Sequence, residues 1–326
     1  MTERISEKAV LLGQQKAMVG IVTQPVAAEL RGDRPAILIL NTGIIHRVGH
    51  NRMYVNLSRA LAQAGYVVLR FDLSGIGDSE SRADGLGPLD AALADIRDAI
   101  DGLERARQAE RVIICGLCSG ADHAVLYGYT DPRVVGLVLM DPSVPPTARY
   151  YFAYIRRRLM RLRSWTNFAS GRGVLARRLL ERLAVALGLK LRPRTPSFSD
   201  RKVRSYLERV YRDSIALGIQ FLAVFTAVED SRQNYGEQLF DAFPSVSFGD
   251  QLRLEFFEEA GHTFMFESER VRLTQVIFDW LSRTNFTIRR GPRPPGAHDD
   301  IANAVSGVVG VIASGVGSAW LNLIYD

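Results

Sequence analysis

The stretch Arg111-Val-Ile-Ile-Cys-Gly-Leu-Cys-Ser-Gly-Ala-Asp-His123 (RVIICGLCSGADH) decides how the rest of the chain reads. Its apolar run, Val112 to Cys115, fits a strand buried on both faces. Small residues follow, and Ser119 to Thr130 carries the pattern of a helix. Gly116-Leu-Cys118-Ser-Gly120 thus lies between a strand and a helix, where a tight turn thrusts one side chain outward. Free N–H groups at the helix start favour an anion, and a thiolate is one. On this reading Cys118 is a nucleophile and the N–H of Ser119 is one donor to an oxyanion. Cys115 falls inside the apolar run and reads as packing. A redox C-x-x-C pair would open the helix instead, which this spacing does not do.

Working outward, AMVGIVTQP (17–25), AILILN (36–41), YVVLRFDLSG (66–75) and VVGLVLMDP (134–142) read as further strands. MYVNLSRALAQAG (53–65) and LDAALADIRDAIDGLERARQ (89–108) read as amphipathic helices between them. Such alternation implies an α/β fold with a mostly parallel, twisted sheet and helices on both faces. From about Ser143 to about Ala216 no strand is legible. YYFAYIRRRLMRLRSW (150–165) and GVLARRLLERLAVALG (173–188) read there as basic amphipathic helices, a helical cap insertion. Alternation resumes with IQFLAVFTAVED (219–230), NYGEQLFDAFPS (234–245), QLRLEFFEEAGHTF (251–264) and ERVRLTQVIFDWLSRT (269–284). The expected organisation is a core in two parts, 1–142 and 217–286, a basic cap over 143–216, a linker over 287–300 and a terminal segment, 301–326.

Charge is unevenly spread. The formal net charge is +6, yet between Arg149 and Arg204 sixteen Lys/Arg stand against two acids, Glu181 and Asp200. That excess suits either a solvated basic face or the docking of an acidic partner. No RNA- or DNA-binding motif accompanies it, so nucleic acid is not implied. Ile301 to Tyr325 contains no charged residue, and Ser306, Gly310, Ser314 and Ser318 recur every four residues. The length would span a bilayer, but the Gly, Ser and Asn content favours docking on protein over membrane contact. MTERISEKAVLLGQQ lacks the pattern of a secretory signal, and two cysteines make no disulfide scaffold. A reducing cytoplasm is the expected location.

A base is supplied by His262, in EEAGHTF (258–264), just past the last expected strand. Parallel strands all end at one edge, so His262 and Cys118 are expected on the same side of the sheet. The acid that orients the imidazole is either Asp141, ending VVGLVLMDP, or Glu229 or Asp230, ending FLAVFTAVED. Asp141 is preferred because it follows the strand next to the elbow strand. The loop NTGIIHR (41–47) follows the AILILN strand and would offer the N–H of Ile44 as the second oxyanion donor. Arg47 would add positive charge at the mouth as a substrate-binding group. No His/Cys/carboxylate cluster has ligand spacing, so neither a metal nor an organic cofactor is implied.

Together these motifs resemble the α/β-hydrolase superfamily over about residues 8 to 285. NTGIIHRVGHNRMY (41–54) is similar to its oxyanion loop, FDLSGIGDSE (71–80) to its strand-to-loop signature, GLCSGA (116–121) to its elbow and EEAGHTF to its histidine loop. The departure is cysteine where most members carry serine. In that respect the chain resembles cysteine branches, and most nearly the exosortase-associated hydrolases and the Dieckmann cyclases. The cyclase pattern implies Asp141 as triad acid, and the common superfamily pattern implies Glu229 or Asp230.

A thiolate attacks thioesters and esters, and the acyl-thioester it forms stays activated towards a second nucleophile. The expected activity is acyl transfer, cyclisation or release from an acyl thioester bound to a carrier protein or coenzyme A. The basic cap would exclude water and dock an acidic acyl carrier protein. Two other readings stand beside it: a simple hydrolase of an ester, thioester or lactone, and a non-catalytic assembly or membrane-attached protein on this fold.

Overall fold

A computed structural model describes residues 5–13, 15–26, 34–106, 110–152, 201–228 and 235–287. The strands are β1 (Ile5–Leu12), β2 (Met18–Pro25), β3 (Ala36–Ile39), β4 (Val68–Phe71), β5 (Val112–Leu117), β6 (Val134–Met140), β7 (Gln220–Val228) and β8 (Leu252–Gly261). The helices among the described residues are α1 (Met53–Gln63), α2 (Pro88–Arg105), α3 (Ser119–Gly128), α4 (Arg201–Ala216), α5 (Gln238–Ala242) and α6 (Glu267–Arg283). The strands form one sheet in the order β1-β2-β4-β3-β5-β6-β7-β8. β1 and β2 pair antiparallel, as do β2 and β4, and every other pairing is parallel. This is the α/β-hydrolase fold that the motifs imply.

Alternation along the central strands builds two cores. Ala36, Leu38, Val112 and Ile114 face one side with residues of α2, α3 and α4, while Ile37, Ile39, Ile113 and Cys115 face α1 and α6. Helix α2 shows why its residues choose that form. Pro88 opens it, Asp90 sits in the first turn, and Leu89, Ala92, Leu93, Ile96, Ala99, Ile100 and Leu103 recur at three- and four-residue spacing on the buried face.

The chain order reverses at β3, which lies between β4 and β5. That is a topological switch point, and loops leaving the carboxyl ends of β3 and β5 open onto the same crevice.

Helix α4 falls within the range expected for the cap but packs with the core. Val203, Tyr206, Leu207, Val210 and Tyr211 are buried, and the Tyr211 ring lies 5.1 Å from Phe243 and 5.6 Å from Phe248. The two basic stretches at 150–165 and 173–188, and with them most of the surface expected to dock a carrier protein, lie outside the described residues from 153 onward. So do the 301–326 segment and most of the linker before it. Among the described residues, no helix is long and apolar enough to cross a membrane. The β1–β2 hairpin adds a strand that the sequence pattern did not suggest; β1 is half exposed and carries Glu7 and Lys8.

Candidate active site

β5 ends at Leu117, and the next residue turns the chain sharply into α3. Cys118 has φ 58° and ψ −118°, a left-handed conformation that costs energy for any residue with a side chain. The glycines on either side make the turn feasible. A Cβ on Gly116 would run into the backbone of Gly120, and one on Gly120 would lie 2.5 Å from the Asn41 carbonyl oxygen. Cys118 is buried, 4% exposed, at the start of α3. Cys115, three residues earlier, lies wholly inside the sheet, where burial pushes its pKa up to about 12. The two remain separate thiols.

The acid and base come from the next strands. Asp141 directly follows β6 and is buried. Its carboxylate accepts from the Thr226 N–H at 2.8 Å, from the Thr226 hydroxyl at 2.6 Å and from His262 Nδ1 at 2.8 Å. The β7–β8 register slips between Thr226 and Val228, so β8 carries extra residues just before His262. Burial alone would lower the His262 pKa. The hydrogen bonds to the Asp141 carboxylate and to Cys118, with their charges, outweigh it and raise the value to about 10. The imidazole of His262 therefore stands between Asp141, to which it is hydrogen-bonded, and Cys118, whose influence raises its pKa. Glu229 and Asp230 lie outside the described residues.

The oxyanion loop leaves β3 and is pinned by polar contacts. Asn41 donates to the Ile45 carbonyl at 2.8 Å and to Asp72 at 3.0 Å, and its own carbonyl oxygen accepts from the Leu73 N–H at 2.7 Å. The Thr42 and Tyr54 hydroxyls lie 2.7 Å apart. The Gly43 N–H donates to the Ser119 hydroxyl at 2.7 Å. Ile44 is at the tip, its side chain 85% exposed.

Arg47 does not stand open at the mouth as expected. Its guanidinium pairs with Asp72 and with Asp78, the latter at 2.7 Å, and its N–H donates to Asp72 at 2.6 Å. Asp72 is fully buried, so Arg47 is its counter-ion and fastens the loop. His46, Asp72 and Asp78 bring metal-ligand atoms within 4.8 Å of one another, and the same guanidinium already pairs with both carboxylates. A second histidine of this loop, His50, is half buried. Burial lowers its pKa, and the charge of nearby His262 lowers it further.

Three residues here had no functional reading in the sequence: Thr226, Tyr54 and the hydroxyl of Ser119. No spacing rule pairs Thr226 with a carboxylate 85 residues away. A cavity of about 560 Å³ lies at the opposite, amino-terminal edge of the sheet, between Arg34, Tyr66, Arg111 and Phe286, far in the topology from this site.

Fold and site define an enzyme of the α/β-hydrolase type. The model of the serine aminopeptidase S33 hydrolase family matches residues 35–213, more than half of the chain, and the chain belongs to that family. No curated protein sequence matches it. Among solved structures it is similar to a dienelactone hydrolase-type protein of Klebsiella pneumoniae, at 17% identity and a TM-score of 0.53, covering 86% of this chain and 100% of that one. It is also similar to a hypothetical protein of Pseudomonas aeruginosa, at 16% identity and a TM-score of 0.54, covering 86% and 94%. A dienelactone hydrolase-like promiscuous phosphotriesterase from metagenomic libraries matches at 13% identity and a TM-score of 0.50, covering 86% and 98%. At such identities the likeness is one of fold. The family is named for serine, whereas this chain carries Cys118 at the elbow.

Proposed function

We propose that the chain is a cysteine-dependent hydrolase that cleaves a carboxylic ester, thioester or lactone through an acyl-Cys118 intermediate. One observation carries this reading: the His262 imidazole is hydrogen-bonded to the Asp141 carboxylate at 2.8 Å, at the sheet edge where the strained turn places Cys118. The raised pKa of the ring supports an imidazolium at position 262, and the thiolate is the nucleophilic form of a cysteine placed beside it.

The thiolate Sγ attacks the substrate carbonyl carbon. As the C–S bond forms, the π pair moves onto oxygen, where the N–H groups of Ser119 and Ile44 are its donors. The tetrahedral species collapses and expels the alcohol or thiol leaving group, which takes the Nε2 proton of His262. Neutral His262 then accepts a proton from water as the water oxygen bonds to the acyl carbon. A second collapse breaks the C–S bond, releases the acid and restores the thiolate–imidazolium pair. Asp141, held by Thr226, keeps the ring oriented throughout.

The hydrolase character of the family favours water as acceptor over the acyl transfer or ring closure expected from the cysteine motifs. Those reactions would use the same intermediate, with an acyl thioester on a carrier protein or coenzyme A as donor. A reducing compartment such as the cytoplasm suits the free thiol.

Intact-protein mass spectrometry after mixing with a panel of acyl esters, thioesters and lactones tests the reading. A mass gain equal to the acyl group is expected, absent in Cys118→Ala and decaying in water alone. Decay only upon addition of an amine or alcohol would restore transfer as the main activity. No adduct and no turnover with any donor would overturn the acyl-enzyme reading.

A further inference from the structure

We infer that the Ser119 hydroxyl is a positioning group for the second oxyanion donor: by accepting from Gly43, it sets the Ile44 N–H against the elbow. The inference rests on the acyl-Cys118 chemistry proposed above and adds a residue role to it.

An oxyanion hole works only when its donors lie about 2.7–3.1 Å from the oxygen that develops charge, so two separate chain segments must be held in register. The first donor, the Ser119 N–H, is carried by the backbone of the elbow itself. The second is on a loop from a different strand. Packing does not hold that loop at its tip, because the Ile44 side chain is exposed. Gly43 has φ +54°, and the Ile45 N–H closes the turn onto the Thr42 carbonyl at 2.9 Å. These contacts shape the loop from within and leave its placement against Cys118 to other groups.

Two connections reach outward towards the elbow. One is indirect: Thr42 meets the Tyr54 hydroxyl at 2.7 Å, and the buried Tyr54 shares one core with Leu117 and Cys118. The other is direct. The Gly43 N–H donates to Ser119 Oγ at 2.7 Å, a contact between residues 76 apart in sequence. Among the described residues it is the hydrogen bond that joins residues 42–47 to the elbow turn in one step. It also decides which N–H serves. With the Gly43 N–H occupied, the next one along, that of Ile44, is left for the oxyanion. Ser119 therefore contributes twice, by its own N–H and by fixing the position of its counterpart.

The test separates the oxyanion hole from the nucleophile. Acylation of Cys118 by p-nitrophenyl acetate builds a tetrahedral oxyanion. Alkylation by iodoacetamide displaces iodide at a saturated carbon and builds none, yet needs the same thiolate and the same His262. Both rates are measured for the full chain and for Ser119→Ala, Ser119→Thr and Tyr54→Phe. Ser119→Ala keeps the N–H and is expected to slow acylation about 10- to 100-fold, with alkylation within about twofold. Ser119→Thr keeps a hydroxyl and is expected to recover most of the loss. Tyr54→Phe, acting through the indirect connection, is expected to cost acylation about threefold.

Equal loss of both rates in Ser119→Ala would mean a general disturbance of the elbow and would overturn the inference, as would unchanged acylation. If the Ala variant does not fold, Ser119→Gly takes its place with the same expectation. Failure of the underlying reading looks different: the unaltered chain itself would then be alkylated but not acylated by any ester. A normal unaltered chain with an unshifted acylation-to-alkylation ratio in Ser119→Ala overturns this inference alone.

Discussion

Asp141, Thr226 and His262 come from the ends of β6, β7 and β8, three strands that pair in order, whereas the oxyanion side of the site depends on a loop. The acid–base half inherits its precision from the sheet: Asp141 needs only Thr226 beside it, because the strands already fix both backbones. The oxyanion half must be fastened residue by residue, by Asn41, Thr42, Gly43 and Arg47 acting on Asp72, Tyr54 and Ser119. Geometry borrowed from a sheet takes few dedicated contacts, and geometry on a loop takes many.

The comparison can be broken at several points. The largest effect falls where the halves meet. Cys118→Ala should lower turnover by at least about 10,000-fold, while Cys115→Ala keeps most of it, as read by steady-state hydrolysis. Equal losses in the two variants would bring back a paired-cysteine mechanism.

Next comes Asp141→Asn, expected to cost about 1,000-fold in kcat with the fold intact by circular dichroism. If this variant is silent while Asp230→Asn or Glu229→Gln is not, the acid has been misassigned.

On the loop side, Asp72→Asn removes the buried one of the two carboxylates paired with Arg47 and should destabilise the protein by about 2–4 kcal/mol in urea unfolding. An unchanged midpoint would show that the loop is held by something other than this ion pair. Thr226→Val should cost about 3- to 10-fold in kcat, because Asp141 keeps the Thr226 N–H and His262 as donors.

A further prediction is a pH trend in stability. The His262 pKa is raised by folding, from an ordinary value of 6.5 to about 10. Its contribution is therefore fully present below about 6.5 and is lost as pH rises through about 10. The difference in melting temperature between the unaltered chain and His262→Gln should shrink across that window. A gap that widens with pH would contradict the Asp141–His262 pairing.

How much of this was legible in the sequence follows the same division. Apolar runs such as Val112–Cys115 and Val134–Met140 announce central strands, since a strand covered on both faces has no polar alternation to hide it. Once the strands are ordered, the meeting of Cys118, His262 and Asp141 at one edge follows from parallel topology. β1 was not legible because its half-exposed pattern, broken by Glu7 and Lys8, lacks both a clear alternation and a continuous run. Arg47 was read as open to substrate, because a loop arginine gives no sign of a buried carboxylate 25 residues on. Thr226, Tyr54 and the Ser119 hydroxyl were invisible for a related reason. Each acts through a contact set by tertiary approach, and a hydroxyl in a strand, a helix or a turn looks the same whatever it touches.

The elbow's glycines have an evolutionary consequence. The left-handed turn at Cys118 is held by Gly116 meeting Gly120 and by Gly120 meeting the Asn41 carbonyl, all backbone surfaces. None of that scaffolding touches the nucleophilic atom. Sulfur and oxygen can thus be exchanged at position 118 by a single-base change without rebuilding the turn, whereas any side chain at 116 or 120 blocks it. A lineage can revise the chemistry of this site cheaply while its geometry stays frozen, which makes the reacting atom the most interchangeable part of the machine.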